Sequence, residues 1–171
     1  FSEWKTQMEW PLLDYADGVL RVADEKYVDS YFAAFLVAFI RDYLLKHGIS
    51  FSIETVMSHP SKVDLMRRAR EMGYRVYLYF VSTESADINV GRVRSRVAEG
   101  GHDVPEDKIR NRYSRSLDQL LDAIRNSDRA YLFDNSAQKF QLLAEYDKDA
   151  ADFNVKSSTL WLQASVLSKL N

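Results

Sequence analysis

Cysteine is absent from the 171 residues, which excludes a disulfide framework and a thiolate metal site and makes a reducing cytoplasm the default compartment. Only six glycines are present, and no G-x-x-x-x-G-K-[ST] occurs, so the sequence holds no phosphate-cradling loop of that kind. Long apolar runs are missing as well. The most apolar stretch, residues 31–40, is too short to span a bilayer and is closed by Arg41 and Asp42. A formal net charge of -2 gives no global field toward nucleic acid or an anionic membrane, so any positive potential must be local. No signal-peptide pattern, internal repeat or low-complexity tract is found. The first residue is Phe1 rather than methionine, and the expectation is a processed or truncated piece. What remains is a 46% hydrophobic chain, ordinary for a globular protein and long enough for one sizeable core.

Taken in order, residues 1–24 are aromatic and irregular, with Trp4 and Trp10 expected to pack on the body and a short strand at 18–23. Residues 25–46 predict a helix whose apolar face is Val28, Phe32, Phe35, Phe39 and Tyr43, ended by His47 and Gly48. FSIETV, residues 51–56, alternates as a strand, and Ser58, His59 and Pro60 then start a helix that Gly73 stops. RVYLYFVS, residues 75–82, is a nearly uninterrupted β-branched and aromatic run, which predicts a central strand covered on both faces. Strand, helix, strand makes a βαβ unit with parallel strands, and ligands bind such sheets at the carboxyl ends. Those ends are Glu54 and Thr55, then Ser82, Thr83 and Glu84. Residues 129–133 predict another buried strand ending in Asp134, Asn135 and Ser136, and residues 140–146 a further one. The tail from Asp147 is polar until a final helix, expected to dock through Leu160, Ala164 and Leu167, with Trp161 and Leu170 as further candidates.

The stretch at 91–117 carries six arginines around a glycine pair, a histidine and a proline. Val90, Val93 and Val97 share one helical face, and Arg92 and Arg96 lie one turn apart on another. Gly100 and Gly101 permit positive φ at the helix end, while Pro105 suits the first turn of a second helix that Asp103 can cap. That second helix turns Ile109, Tyr113, Leu117, Leu120 and Ile124 inward and Arg112 and Arg115 outward. Guanidinium forks match phosphate oxygens, so a hinged basic hairpin reads as a phosphoryl-transfer lid over an anionic ligand. Such a lid excludes water and offsets charge on the transferring group. A carboxylate such as Glu54 inside a predicted buried strand demands a partner or a task.

FSIETVMSHPSK, GYRVYLYFVSTE, RVRSRVAEGGHDVPEDKIRNRYSRSL and AYLFDNS, within residues 26–136, resemble the second half of the zeta-toxin family of P-loop kinases. The resemblance implies an α/β fold of the P-loop NTPase type, a parallel sheet between helices with an arginine-rich helical lid, its N-terminal part with the P-loop missing ahead of Phe1. It implies ATP and Mg2+ as cofactors of the full-length protein, a small-molecule acceptor of the UDP-amino-sugar kind, and an antitoxin as a candidate partner, with neither nucleic acid nor membrane expected. Glu54 and Thr55, with Ser58 and His59 in the following turn, would line the acceptor pocket. Arg92, Arg96 and Arg112 would contact phosphate, with His102 at a lid position where characterised toxins place an arginine. Arg110 competes with Arg112 for the inward role. Asp134, Asn135 and Ser136 fall where the adenine would rest. By this division, residues 1–146 are a partial kinase-like domain and 147–171 a tail with a docking helix. The rival reading is an ATPase serving as a switch or interaction module without a small-molecule acceptor.

Overall fold

The computed structural model describes residues 13–17, 19–22 and 29–170. The chain divides into two units, Phe1–Phe51 and Ser52–Asn171. In the first, β1 (Leu13–Ala16) and β2 (Val19–Val22) form an antiparallel hairpin. The left-handed turn residue Asp17, at φ 53°, starts the reversal between them. Helix α1 (Ser30–Lys46) begins where the Asp29 carboxylate accepts the backbone N–H groups of Tyr31 and Phe32. It ends at Gly48, where positive φ lets Gly48 N–H and Ile49 N–H reach back to the carbonyls of Leu45 and Leu44. The predicted apolar face is only partly right. Phe32 is buried, but Phe39 and Tyr43 are 52% and 50% exposed, the Tyr43 ring lying 3.9 Å from that of His47. A helix apolar nearly all round does not fix its buried face by periodicity. Trp4, Trp10 and Val28 lie outside the described residues.

The second unit contains α2 (Ser61–Glu71), β3 (Tyr77–Ser82), α3 (Ala86–Ala98), α4 (Glu106–Asp118), α5 (Leu120–Arg125), β4 (Arg129–Asp134), β5 (Gln141–Asp147), β6 (Asp152–Val155) and α6 (Leu160–Ser165), with a 3₁₀ turn at Leu167–Lys169. Its sheet runs β3-β4-β5-β6. Among the described residues only the β3–β4 pair is parallel, joined by α3, α4 and α5, whereas β5 and β6 return antiparallel. The expected parallel sheet is therefore a mixed one. Short connections force this, because six residues after β4 can turn a hairpin but cannot carry a crossover. Residues 51–56 do not form the expected strand, so the βαβ unit through α2 is absent. Instead the Thr55 hydroxyl accepts Met57 N–H at 3.2 Å and Met57 adopts φ 56°, a local turn incompatible with a ladder.

One cluster forms the core of this unit: Phe80, Leu132, Leu143 and Ala144 from the sheet, Met57 beside them, and Leu120, Leu121, Ile124, Trp161, Leu162 and Val166 above. The opposite face of β3 is open. Tyr79 is 66% exposed and Tyr77 and Val81 are exposed beside it, so this strand is not covered on both faces as its composition suggests. Tyr79 stacks on Tyr131 of the next strand, which explains aromatic enrichment without burial. The final helix docks in a different phase from the predicted one. Trp161, Leu162, Ser165 and Val166 are buried while Leu160 is 77% exposed, so the docked face is one residue out of phase with the Leu160, Ala164 and Leu167 stripe, and Trp161 anchors it through its bond to Asp134. Strand β6 came from a segment whose polarity concealed it, since only Phe153 of its four residues packs against the core.

Candidate functional site

Parallel pairing aligns the carboxyl ends of β3 and β4, with Ser82 opposite Asp134. Beyond them lie Thr83 and Glu84 on one side and Asn135 and Ser136 on the other. Asn135 N–H donates to the Ser82 carbonyl at 2.7 Å, carrying the pairing one step past the ladder. Asp134 is 8% exposed and both of its oxygens are engaged. Oδ1 accepts Ser136 N–H at 2.9 Å, and Oδ2 accepts the Ser136 hydroxyl at 3.0 Å and Trp161 Nε1–H at 3.1 Å. Ser136 Oγ accepts Glu84 N–H at 2.7 Å, and Glu84 Oε1 accepts Leu160 N–H at 3.0 Å. A buried carboxylate satisfied this fully is a structural anchor first.

The arginine-bearing stretch folds as two helices, as its spacing predicts. At the end of α3, Gly100 takes φ 88°, and the N–H groups of Gly100 and Gly101 return to the carbonyls of Val97 and Arg96, both at 2.9 Å. Gly101 is required for a second reason: a Cβ there would lie 2.6 Å from Arg96 Cγ. Helix α4 starts after Pro105, which is its cap rather than its first residue, and no side chain caps it, so the Asp103 cap is not made. The hairpin is held by a network that sequence reasoning missed. Glu106 pairs with Arg94 and Arg110 at 2.7 Å each, and Arg110 also reaches Asp87 at 2.6 Å. The Arg110 hydrogen bond is the main cause that holds the Glu106 carboxyl below its ordinary 4.5, and Arg110 is raised in turn by Glu106 and Asp87. The Glu106–Arg110 spacing of four residues was the available signal; Asp87 is too distant in sequence to give one.

Two contacts root this hairpin at the strand ends. Tyr113, half-buried as its inward assignment expects, donates its hydroxyl to the Thr83 carbonyl at 2.9 Å, and burial raises its pKa. Arg92 Nη2 donates to the Asn135 carbonyl at 2.5 Å. The candidate cations therefore differ in commitment. Arg92 holds Asn135, Arg96 Nη2 holds the His102 carbonyl at 2.9 Å, and Arg110 is fully occupied by carboxylates. Arg112 and Arg115 are exposed and make no hydrogen bond or ion pair among the described residues. His102 is exposed in the loop between the helices. Glu54 and Thr55 are exposed in the segment before α2 rather than in a buried strand, and Ser58 follows half-buried. His59 Nδ1 lies 3.0 Å from Ser61 Oγ and accepts Ser61 N–H at the start of α2. Among the described residues, no hydrogen bond or ion pair joins Glu54, Thr55, Ser58 or His59 to the arginines of the hairpin.

A shallow cavity of about 180 Å³ lies at the other end of the sheet, walled by Arg129, Glu145, Asp147 and Asp152. Its volume falls below the ~300 Å³ of small-molecule sites, and its carboxylates disfavour an anion. Among the described residues there is no group of three or more His, Asp or Glu able to hold a metal ion. No helix among them is long and apolar enough to cross a membrane. For a nucleotide and its magnesium, the fit is thus confined to one part. Free guanidinium groups and the Asn135 side chain suit phosphate and base contacts, whereas a backbone phosphate cradle and a metal-ligand set are not among these residues.

The family described as Zeta toxin matches residues 14–149, well over half of the chain. The chain belongs to the zeta toxin family. The match extends beyond the 26–136 covered by the motifs at both ends. Membership brings a P-loop-like fold and nucleotide binding as the family's properties. A Haemophilus influenzae protein described only as uncharacterised is 34% identical over 71 residues, covering 42% of this chain. The aligned segment spans about half of that relative's length, 51%. No solved structure matches the chain.

Proposed function

We propose that this zeta toxin family chain is the lid-bearing and acceptor-binding part of an ATP-dependent phosphotransferase, acting on a hydroxyl of a small molecule of the UDP-amino-sugar class. The observation that carries the reading is the arginine hairpin of α3 and α4, rooted through Tyr113 and Arg92 at the carboxyl ends of the parallel pair β3–β4. In α/β sheets that edge is where ligands bind. Arg112, which like Arg115 makes no hydrogen bond or ion pair among the described residues, would offset charge on a transferring phosphoryl group. Arg92 and Arg96 would join it by exchanging carbonyl partners for phosphate oxygens, which costs little because a charged ligand is the better acceptor. His102, on the connecting loop, would approach with them. Glu54 and Thr55 would orient the acceptor hydroxyl, with Ser58 and His59 shaping the turn beside it. Asn135 and Ser136 would border the base, with Asp134 holding Ser136 in place.

ATP when bound would supply the phosphoryl group, with Mg2+ neutralising its charge, but the phosphate cradle for it is not among the 171 residues, so this chain alone is expected to be inactive. Lack of cysteine supports a cytoplasmic location. An antitoxin remains a partner to be sought by co-purification with the products of neighbouring genes. The decisive assay uses protein extended through the coding sequence ahead of Phe1, with γ-labelled ATP and a UDP-amino sugar. Label on the sugar nucleotide supports the proposal. Label appearing only as free phosphate would establish the ATPase alternative instead.

A further inference from the structure

Five residues at the strand ends close a ring of hydrogen bonds. Leu160 N–H donates to Glu84 Oε1 at 3.0 Å, and Glu84 N–H to Ser136 Oγ at 2.7 Å. Ser136 O–H donates to Asp134 Oδ2 at 3.0 Å, where Trp161 Nε1–H arrives at 3.1 Å. Trp161 follows Leu160 in sequence, so the ring is complete. It joins the ends of β3 and β4 to the first turn of α6. Each element of the arginine hairpin leaves from, or is tied to, this ring's immediate backbone: α3 starts two residues after Glu84, Arg92 holds the carbonyl of Asn135, and Tyr113 holds that of Thr83. Trp161 is 3% exposed with its ring 5.9 Å from Phe80, so water cannot readily replace a lost partner there.

We infer that α6 is a latch that sets the position of the arginine hairpin, with Trp161 and Glu84 as positioning residues acting through Asp134 and Ser136. Leu160 and Trp161 of the ring lie beyond residue 149, where the family match ends, whereas Glu84, Asp134 and Ser136 lie within it. With the ring closed, Thr83 and Asn135 present their carbonyls at the spacing that Tyr113 and Arg92 require. Opening it releases α6 from the Glu84 and Asp134 side chains, so that beyond the ladder the two carbonyls are coupled only through Ser136 and the Asn135 N–H bond to the Ser82 carbonyl, and they hold their spacing less firmly. The hairpin then separates from the strand ends while the sheet, held by its own ladder and core, stays intact. The functional meaning rests on reading the hairpin as a lid; the mechanical coupling does not.

Amide hydrogen exchange on the nucleotide-free chain tests the coupling independently of any phosphotransferase activity. Trp161→Phe keeps the ring against Phe80 and removes only the donor. In it, amides of α3 and α4 should exchange about tenfold faster, the worth of one buried hydrogen bond, while those of β4 and β5 keep their wild-type protection. Glu84→Ala opens the ring from its more exposed side and should give the same pattern should Trp161→Phe not fold. Unchanged exchange in the hairpin, or an equal loss in hairpin and sheet alike, would overturn the latch. Such a result would leave the assay for phosphoryl transfer untouched, so the two readings fail separately.

Discussion

The strand-end cluster and the segment before α2 both carry acids and hydroxyls that sequence reading assigns to a ligand site, yet they are built in opposite ways. Asp134, Ser136 and Glu84 are engaged by each other, by Trp161 and by the first turn of α6. Glu54 and Thr55 are exposed, and among the described residues the one hydrogen bond made by either side chain is the local turn to Met57. The first region has spent its polar groups on holding two strands, a hairpin and a helix together. The second has spent almost none. Residue type alone does not separate an anchor from a ligand contact; what separates them is whether the lone pairs are already satisfied.

The largest effect expected from this contrast is on stability. Asp134→Ala removes three acceptor contacts and leaves the Trp161 N–H buried without a partner, so unfolding free energy should fall by about 3 kcal/mol or more, read from denaturant midpoints at constant slope. Glu54→Ala in the same assay should stay within about 0.5 kcal/mol, as exposed sites do. Equal losses at both positions would erase the distinction. The next effect is on turnover. In extended, active protein, Arg112→Ala should lower kcat about 10²-fold with an unchanged melting temperature, since that guanidinium has no structural partner to lose. Arg92→Ala should lower both, because it also ties α3 to Asn135. If Arg112→Ala turned over normally, the free cation would have no part in the reaction. Glu54→Gln keeps shape and removes charge, and a loss of about tenfold in acceptor-dependent turnover is expected, with ATP hydrolysis retained. A change confined to melting temperature would make Glu54 structural.

Much of the local structure was legible in the sequence because it depends on neighbours. Gly48, Gly73 and Gly100 all end helices at positive φ, the apolar spacing gave α3 and α4, and the β-branched runs gave β3 and β4. What escaped was set by distant partners. Residues 51–56 alternate like a strand, but a strand exists only where another backbone pairs with it, and no sequence pattern supplies that partner. Phe39 and Tyr43 looked like core because the helix is apolar nearly all round. At the site, the arginines were found by type and spacing, while their division into Arg92 and Arg96 bound to carbonyls, Arg110 bound to acids and Arg112 left free depends on the fold. Trp161 could not have been placed against Asp134 from sequence, being 27 residues away.

The smallest expected effect comes from a third case, Glu106, which is exposed like Glu54 but paired like Asp134. Its folded-state carboxyl titrates below the ordinary 4.5, chiefly through the Arg110 hydrogen bond, with Arg94 contributing. An acid whose pKa is depressed by folding stabilises the folded form above its unfolded pKa and loses that contribution as pH falls through the folded value. The network should therefore hold the hairpin fully above pH 4.5 and weaken below it, not on the alkaline side. Because the group is exposed, the change should be about 2 °C or less in melting temperature and should shrink in high salt. Glu106→Gln should remove this part of the acid dependence and leave the rest. An acid transition identical in Glu106→Gln and wild type would mean that pairing at an exposed site contributes nothing measurable, and that burial alone distinguishes Asp134 from Glu54.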